Sequence, residues 1–237
     1  MANCCAVATV IVSSEPNATY ALVNDPQHVV FLQQRCRIYG SSEVSIATAS
    51  TAPARLRLAL EEMAVGVTKG FLRLEAAVIC AGSTTICDEE EQALVEQMTQ
   101  EIAGNVTSRG PWRLSLRRHD RLRVYRDLWE RGYVVTFGSK FGADFLIYKD
   151  NPKHAHAEAL IMVKDYEEEF ARVDIVSFCR MAKMVKKQFL FASVQAIEES
   201  KSDDEQKDGS GVAMKSIVYI SLAYALLVSR QEERNLA

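Results

Sequence analysis

The chain has 237 residues, a length that suits one large domain or two small ones. Hydrophobic residues make up 48% of it, which excludes a chain that is disordered throughout. A net charge of −3 excludes a polycation, so any nucleic acid must be bound by a local basic patch.

Residues 1–82 are predicted to form a small mixed α/β domain. The apolar runs at residues 6–12 and 71–80 indicate strands. A helix is predicted over residues 53–63, because three apolar residues recur there at helical spacing: Leu56, Leu60 and Met63. No chemical motif occurs in this region, so we expect it to have a docking or structural role.

Residues 83–112 are predicted to form a helical connector. Residues 88–91 are all acidic and suit the positive end of a helix dipole. Gly104 is expected to end this helix after a stripe of three apolar residues, Leu94, Met98 and Ile102. A glycine and a proline then break the chain, and we place a domain boundary before residue 113.

An arginine-rich helix opens the region 113–237, which we interpret as one domain. Six arginines fall within fourteen residues: Arg113, Arg117, Arg118, Arg121, Arg123 and Arg126. An apolar stripe at helical spacing should face the core, before Gly132 ends the helix: Leu122, Tyr125, Leu128 and Trp129. The arginines are then expected outside, where a solvated basic face and a phosphate-binding face are about equally expected.

Three short strands are predicted after this helix. Residues 133–137 and 144–148 are separated by a glycine-containing turn, and the next turn contains Pro152. Residues 156–163 alternate in the manner of a strand with two different faces.

The rest of the chain predicts one helix and two strands. Asp174 is the expected N-cap of a helix that runs to Val185. Strands are predicted at residues 188–194 and 216–228, with an acidic mobile loop at residues 198–211 between them. Strands, a helix and further strands indicate a mixed sheet backed by helices, so the fold class is α/β (α+β).

No metal site or cofactor site is predicted. The six cysteines and four histidines lack the spacing of a zinc site, and we expect reduced thiols in an intracellular protein. No basic region precedes the first apolar run, so no signal peptide is expected. The apolar run at residues 217–228 is shorter than the roughly 20 residues that span a bilayer, so no membrane span is expected.

Tyr148, His156 and Lys187 together suit one reaction, the cleavage of RNA through its own 2′-OH. That reaction needs a base for the 2′ proton, an acid for the departing 5′ oxygen and a cation beside the phosphorus. A tyrosine, a histidine and a lysine can supply these three roles without a metal. Taken singly, each residue also has an ordinary explanation as a packed ring, a turn residue or a solvated ammonium.

The sequence motifs around these residues resemble those of the catalytic domain of the tRNA-splicing endonucleases. The motifs are YRDLWERGYVV, KFGADFLIY, KDNPKHAH and KKQFLF. The resemblance is strong over about residues 124–187 and weak over the last strand. The likeness is greatest to the smaller catalytic subunit of the eukaryotic complex, the one assigned to the 3′ splice site.

This resemblance implies particular site residues. The base falls on Tyr148, the acid on His156 rather than His154, and the lysine on Lys187 rather than Lys186, since Lys187 immediately precedes the apolar strand. The family also holds a bulged intron nucleotide between an arginine and a tryptophan, a site for RNA binding. Arg180 occupies the arginine position, and a tyrosine, Tyr224, stands where the family has tryptophan.

The resemblance also implies partners and a compartment. We expect an intron-containing precursor tRNA as substrate, recognised by its shape. We expect a heterotetramer in which each of two catalytic subunits pairs with a non-catalytic one through the C-terminal strands, with residues 217–227 as a candidate interface. A nuclear location is expected, with a cytoplasmic or mitochondrial-surface location as the alternative.

Two other functions are consistent with the same sequence. A non-catalytic structural subunit of the same complex would share the fold, although such subunits generally lack the triad. A metal-dependent DNA nuclease would need an acidic pair with a nearby lysine; Asp144 and Glu158 are available, but no E-x-K sequence follows Glu158.

Overall fold

The computed structural model describes residues 5–11, 19–43, 55–76, 88–104, 113–196 and 215–222, and all that follows concerns these ranges. The N-terminal part contains five strands and two helices in the described residues. They are β1 (Ala6–Ile11), β2 (Tyr20–Val23), α1 (Pro26–Gln34), β3 (Ser41–Glu43), β4 (Arg55–Leu58), α2 (Leu60–Thr68) and β5 (Leu72–Ala76). The strands form a mixed sheet in the order β3-β4-β2-β1-β5, in which β1 and β5 are parallel.

The helix predicted over residues 53–63 is wrong in its first half. Residues 55–58 form strand β4, in which Leu56 and Leu58 are buried while Arg55 and Arg57 are exposed. This Arg-Leu-Arg-Leu alternation has the period of a strand, and it outweighs the helical spacing that led to the prediction. The helix begins only at Leu60 and continues to Thr68.

The remaining described residues form three α-helices and five strands, with a short 3₁₀ helix at Ser139–Phe141 between two of the strands. They are α3 (Asp88–Ala103), α4 (Leu116–Glu130), β6 (Val134–Phe137), β7 (Phe145–Tyr148), β8 (Ala159–Val163), α5 (Arg172–Met184), β9 (Gln188–Ala196) and β10 (Lys215–Leu222). The strand order is β10-β9-β8-β7-β6, with β8 and β9 parallel and the other neighbours antiparallel. Two mixed sheets with helices confirm the predicted α/β (α+β) class.

Helices α3 and α4 are each followed by the glycine that the sequence predicts. Gly104 directly follows α3 and has a φ of +88°, and Gly132 follows the C-cap of α4, Arg131, and has a φ of +97°. Such values suit glycine, which lacks the Cβ that crowds this conformation.

The predicted cap of α5 is wrong: Ala171 is the N-cap, and Asp174 lies within the first turn, where its charge suits the helix dipole.

The C-terminal sheet is buried on both faces. One face packs on α4 and shares a core with the N-terminal part, including Ile147, Ala159 and Ile161. The other face packs on α5 through a second cluster that contains Leu160 and Phe189. All five residues of β8 are buried, so the alternation in residues 156–163 does not mark a solvent face.

Strand β8 begins at Ala159, so His156 precedes it in a loop rather than lying within the predicted strand. The predicted loop 198–211 and Tyr224 lie outside the described residues. The domain division near residues 82 and 112 stays a prediction. In the described part of the chain, no helix is both long and apolar enough to cross a membrane.

Candidate active site

Strand pairing brings Tyr148 and Lys187 to the same end of the C-terminal sheet, and the loop that carries His156 leads into β8 at this end. Ile147 of β7 pairs with Ala159 of β8, and Ala159 pairs with Gln188 of β9. Tyr148 and Lys187 each lie one residue beyond this row, at the same edge. Strands two positions apart are separated by about 10 Å, a gap that a tyrosine and a lysine side chain can bridge.

Tyr148 and Lys187 also occupy the same face of the sheet. Tyr148 packs against the cluster beneath α5, which contains Leu160 and Phe189. Because side chains alternate along a strand, Lys187 shares the face of Phe189, two residues further on. Both side chains are half-buried. The candidate site therefore lies on the α5 side of the sheet.

Lys187 is oriented by the C-terminal end of α5. Its N–H donates to the carbonyl of Ala182 at 2.9 Å, and the N–H of Lys186 donates to Lys183 at 3.1 Å. These two bonds form a Schellman motif, in which Lys186 takes the left-handed position with φ of +52°. Lys186 is exposed at this turn, while the chain delivers Lys187 to the start of β9.

The side chain of Lys187 joins the segment that carries the histidine. Its Nζ donates to the carbonyl oxygen of Ala157 at 2.8 Å, and Ala157 is the neighbour of His156. Backbone bonds close the same region, since Gln188 donates to the Glu158 carbonyl at 3.1 Å. No sequence signal marks Ala157 as a partner, because a carbonyl group belongs to every residue.

A turn organised by Asn151 leads to His156. The Asn151 side chain accepts a hydrogen bond from the Lys153 N–H at 2.9 Å, and its carbonyl accepts from His154 and Ala155 at 3.0 and 2.9 Å. His154 and His156 are both exposed. The turn thus places two imidazoles at the sheet edge, while the Lys187 contact lies next to His156.

The acidic pair that a metal-dependent nuclease would use is separated. Asp144 accepts hydrogen bonds from Arg121 and from the Val163 N–H, the latter at 2.7 Å. Glu158 pairs with Lys149 at 2.6 Å, and this bond raises the pKa of the exposed Lys149 ammonium. Asp144 precedes β7 and Glu158 lies opposite the other end of this strand, so their backbones are separated by four strand residues, or about 13 Å.

Arg180 lies on the exposed face of α5, seven residues before Lys187. The apolar side of the helix faces the sheet, where Phe178 stacks on Phe189 with ring centroids 5.1 Å apart. The predicted partner of Arg180, Tyr224, lies outside the described residues.

The arginines of α4 are not all outside, which corrects the sequence prediction. Arg118 and Arg121 donate to the same oxygen of Glu61, at 3.2 and 3.0 Å, and the Glu61 side chain is only 2% exposed. Arg121 also pairs with Asp144. These two guanidinium groups are held by carboxylates of the same chain, so they are not a free phosphate-binding surface.

Comparison with known proteins concerns mainly this C-terminal region. Residues 119–202 match the family model described as tRNA intron endonuclease, catalytic C-terminal domain. A tRNA-splicing endonuclease of Methanopyrus kandleri is 40% identical over 76 residues, 32% of this chain and 42% of the relative. One of Hyperthermus butylicus is 43% identical over 70 residues, 30% of this chain and 39% of the relative.

A mouse protein is similar over a longer stretch. The tRNA-splicing endonuclease subunit Sen34 of Mus musculus is 35% identical over 107 residues, 45% of this chain and 28% of that protein. The chain thus spans less than half the length of each of these relatives. The family resemblance carried by residues 124–187 is confirmed.

Proposed function

Because residues 119–202 match the family model of the tRNA intron endonuclease catalytic C-terminal domain, we propose that the chain is a catalytic subunit of a tRNA-splicing endonuclease. Its substrate is an intron-containing precursor tRNA, which it cuts at the 3′ splice site. The choice of the 3′ site rests on the sequence motifs YRDLWERG and KFGADFLIY, which resemble those of the subunit assigned to that site.

The proposed reaction is an internal transfer of the phosphorus between two oxygens of the RNA. The deprotonated phenolic oxygen of Tyr148 accepts the 2′ proton, and the 2′ oxygen attacks the adjacent phosphorus. The bond from phosphorus to the 5′ oxygen breaks, and His156 donates a proton to that oxygen. The products are a 2′,3′-cyclic phosphate and a 5′-OH, so no water, metal or oxidant is consumed.

Lys187 is proposed to stabilise the charge that develops on the phosphoryl oxygens. A positioned ammonium stabilises such a transition state more than the ground state, and that difference is what accelerates the step. Its bond to the Ala157 carbonyl uses one of three N–H donors and leaves the others for the phosphate. This bond is the observation that carries the proposal, because it ties Lys187 to the segment of His156.

The rest of the assembly is proposed from the resemblance. Arg180 and Tyr224 are proposed to hold a bulged intron nucleotide of a neighbouring site. The exposed Arg180 supports this role. A non-catalytic partner would pair along β10, which is an edge strand of the described sheet with Ile220 half exposed. A heterotetramer in the nucleus is expected, and co-purification with mass measurement and imaging of the tagged chain test this.

The catalytic assignment is tested in the reconstituted complex with end-labelled precursor tRNA. His156→Ala and Lys187→Ala should each lower the rate of 3′ cleavage by about 10²–10⁴-fold, the range typical of such groups. Matched controls are His154→Ala and Lys186→Asn, which remove the neighbouring imidazole and ammonium. Cleavage at the wild-type rate by His156→Ala, or equal losses in the controls, would reject the assignment.

Two further outcomes separate the other functions. If neither His156→Ala nor Lys187→Ala changes cleavage at either site, the chain is a structural subunit. Cleavage that survives excess EDTA supports the proposed reaction. Cleavage that is lost in EDTA and restored by magnesium would instead indicate a metal-dependent nuclease.

A further inference from the structure

The C-terminal end of α1 and the residues that follow it meet the end of the sheet where the candidate active site lies. Residues 33–39, here called the 33–39 segment, belong to the N-terminal part, which carries no chemical motif of its own. The segment contacts the catalytic region at Trp129, Tyr133 and Lys153. These contacts are about 90 to 120 residues distant in sequence, so the fold brings them together.

Arg37 is the centre of this contact and has an unusual backbone. Its φ is +57°, a left-handed conformation that costs a residue with a Cβ about 1–2 kcal/mol. Its guanidinium lies 4.7 Å from the ring centroid of Trp129. On the preceding residue, the Cys36 carbonyl accepts a hydrogen bond from Trp129 Nε1 at 2.8 Å. Contacts on both sides therefore hold the strained residue in place.

Arg37 reaches the strand that lies beside Tyr148. Its guanidinium donates to the carbonyl oxygen of Tyr133 at 3.4 Å. Tyr133 leads directly into β6, and the next residue, Val134, is the ladder partner of Tyr148. The hydrogen bond from Arg37 thus lies one residue away from the ladder pair that contains the proposed base.

Gln33 reaches the turn that carries the histidine. Its Oε1 accepts a hydrogen bond from Lys153 Nζ at 3.4 Å, and its Nε2 donates to the Tyr39 carbonyl at the same distance. Burial and, to a lesser degree, the charge of Asp150 raise the pKa of Tyr39, so this tyrosine also lies near the turn. Lys153 is three residues before His156.

We propose that the 33–39 segment is a positioning element of the candidate active site, with Arg37 and Gln33 as its positioning residues. Neither side chain is assigned to the RNA or to a proton transfer. Arg37 fixes the strand beside Tyr148, and Gln33 fixes the turn before His156. This inference rests on the proposed function and gives the N-terminal part a role in the rate of cleavage.

The effect should fall on kcat rather than on binding of the RNA. Catalytic groups held in the correct geometry lose up to about 10²-fold in rate when displaced by about 1 Å. Loss of one positioning contact should displace His156 or Tyr148 by less than about 1 Å. We therefore expect a fall in kcat of about fivefold to twentyfold with KM for precursor tRNA unchanged.

The test uses the full chain in its complex. Arg37→Asn removes the guanidinium and retains a residue that tolerates the left-handed backbone. Arg35→Asn is the matched control, because Arg35 is an exposed arginine two residues earlier. Gln33→Ala is the second variant, which changes only the contact with the turn and provides a test if Arg37→Asn fails to fold. Thermal unfolding of each complex verifies that it is folded at the assay temperature.

A fall in kcat for Arg37→Asn or Gln33→Ala, with KM and the Arg35→Asn control at wild-type values, supports the inference. Unchanged kcat in both folded variants overturns it. A rise in KM with unchanged kcat also overturns it, since the segment would then bind RNA. Inactive Lys187→Ala beside fully active Arg37→Asn and Gln33→Ala would reject the positioning role and leave the proposed function standing.

Discussion

Replacing Glu61 by glutamine should destabilise the protein far more than an exposed surface substitution. Glu61 lies in the first turn of α2 and is 2% exposed. Its carboxylate accepts hydrogen bonds from Arg118 and Arg121 of α4, so it links the N-terminal part to the helix that packs on the C-terminal sheet. The amide in Glu61→Gln preserves the shape and removes the charge.

The magnitude follows from the two bonds and their burial. A hydrogen bond to a charged group contributes about 1.5–3 kcal/mol, and breaking a buried ion pair costs about 3–5 kcal/mol. Arg118 is 25% exposed, which reduces its share, and Arg121 keeps Asp144 as a second partner. We therefore expect Glu61→Gln to lower the free energy of unfolding by about 2–4 kcal/mol.

Urea unfolding measures this change through the midpoint and the slope m. The matched control is Glu130→Gln, which breaks the Lys69–Glu130 pair at 2.6 Å, whose side chains are 37% and 46% exposed. That exposed pair should contribute less than about 1 kcal/mol. A double-mutant cycle of Glu61→Gln with Arg121→Gln should give a coupling of about 1.5–3 kcal/mol. If Glu61→Gln is no more destabilising than Glu130→Gln, the ion pairs do not contribute as argued.

Three further predictions concern pH, the α5 terminus and packing. Burial raises the pKa of Glu62 to about 7, so the folded state retains a proton that the unfolded state releases. This contribution is complete below about pH 4.5 and is lost as pH rises to about 7. Urea unfolding should therefore show that the wild type loses about 2–4 kcal/mol more than Glu62→Gln over this interval. Lys186→Gly relieves a φ of +52° and should raise the free energy of unfolding by about 0.5–1 kcal/mol, with cleavage retained if Lys187 is the functional lysine. Gly66→Ala should lower that free energy by about 1–3 kcal/mol, since the added Cβ would lie 2.5 Å from Leu72 Cβ.

The local elements with strong signals were predictable from the sequence. Helix α4 combines an apolar stripe with a terminal glycine, and the structure gives Leu116–Glu130 followed by Gly132. Strand β7 and its glycine turn are equally clear, because short apolar runs between turn residues leave few alternatives. These elements determine where Tyr148 lies, so the strand that carries it could be located from sequence alone.

Long-range partners could not be predicted in the same way. The Glu61 carboxylate lies 57 and 60 residues before the arginines that it binds. Helical periodicity shows that an arginine is off the apolar stripe, but it does not show whether another element covers that side. In this protein α2 covers part of it, and Arg118 and Arg121, which were predicted to lie outside on a solvated or phosphate-binding face, form ion pairs with the buried Glu61. Strand β4 was missed because one of its residues, Leu56, also lies at helical spacing from Leu60 and Met63.

Part of the basic run of α4 binds buried carboxylates of the same chain. A carboxylate that is 2% exposed is stable as an anion only where cations replace the lost water, and α4 supplies Arg118 and Arg121 to Glu61. His119 on the same helix contacts Glu101, another buried carboxylate, at 3.0 Å. The basic run is thus required in part for joining α2 and α3 to the sheet that bears Tyr148. The number of arginines in α4 therefore overstates the positive charge that this helix can present to RNA.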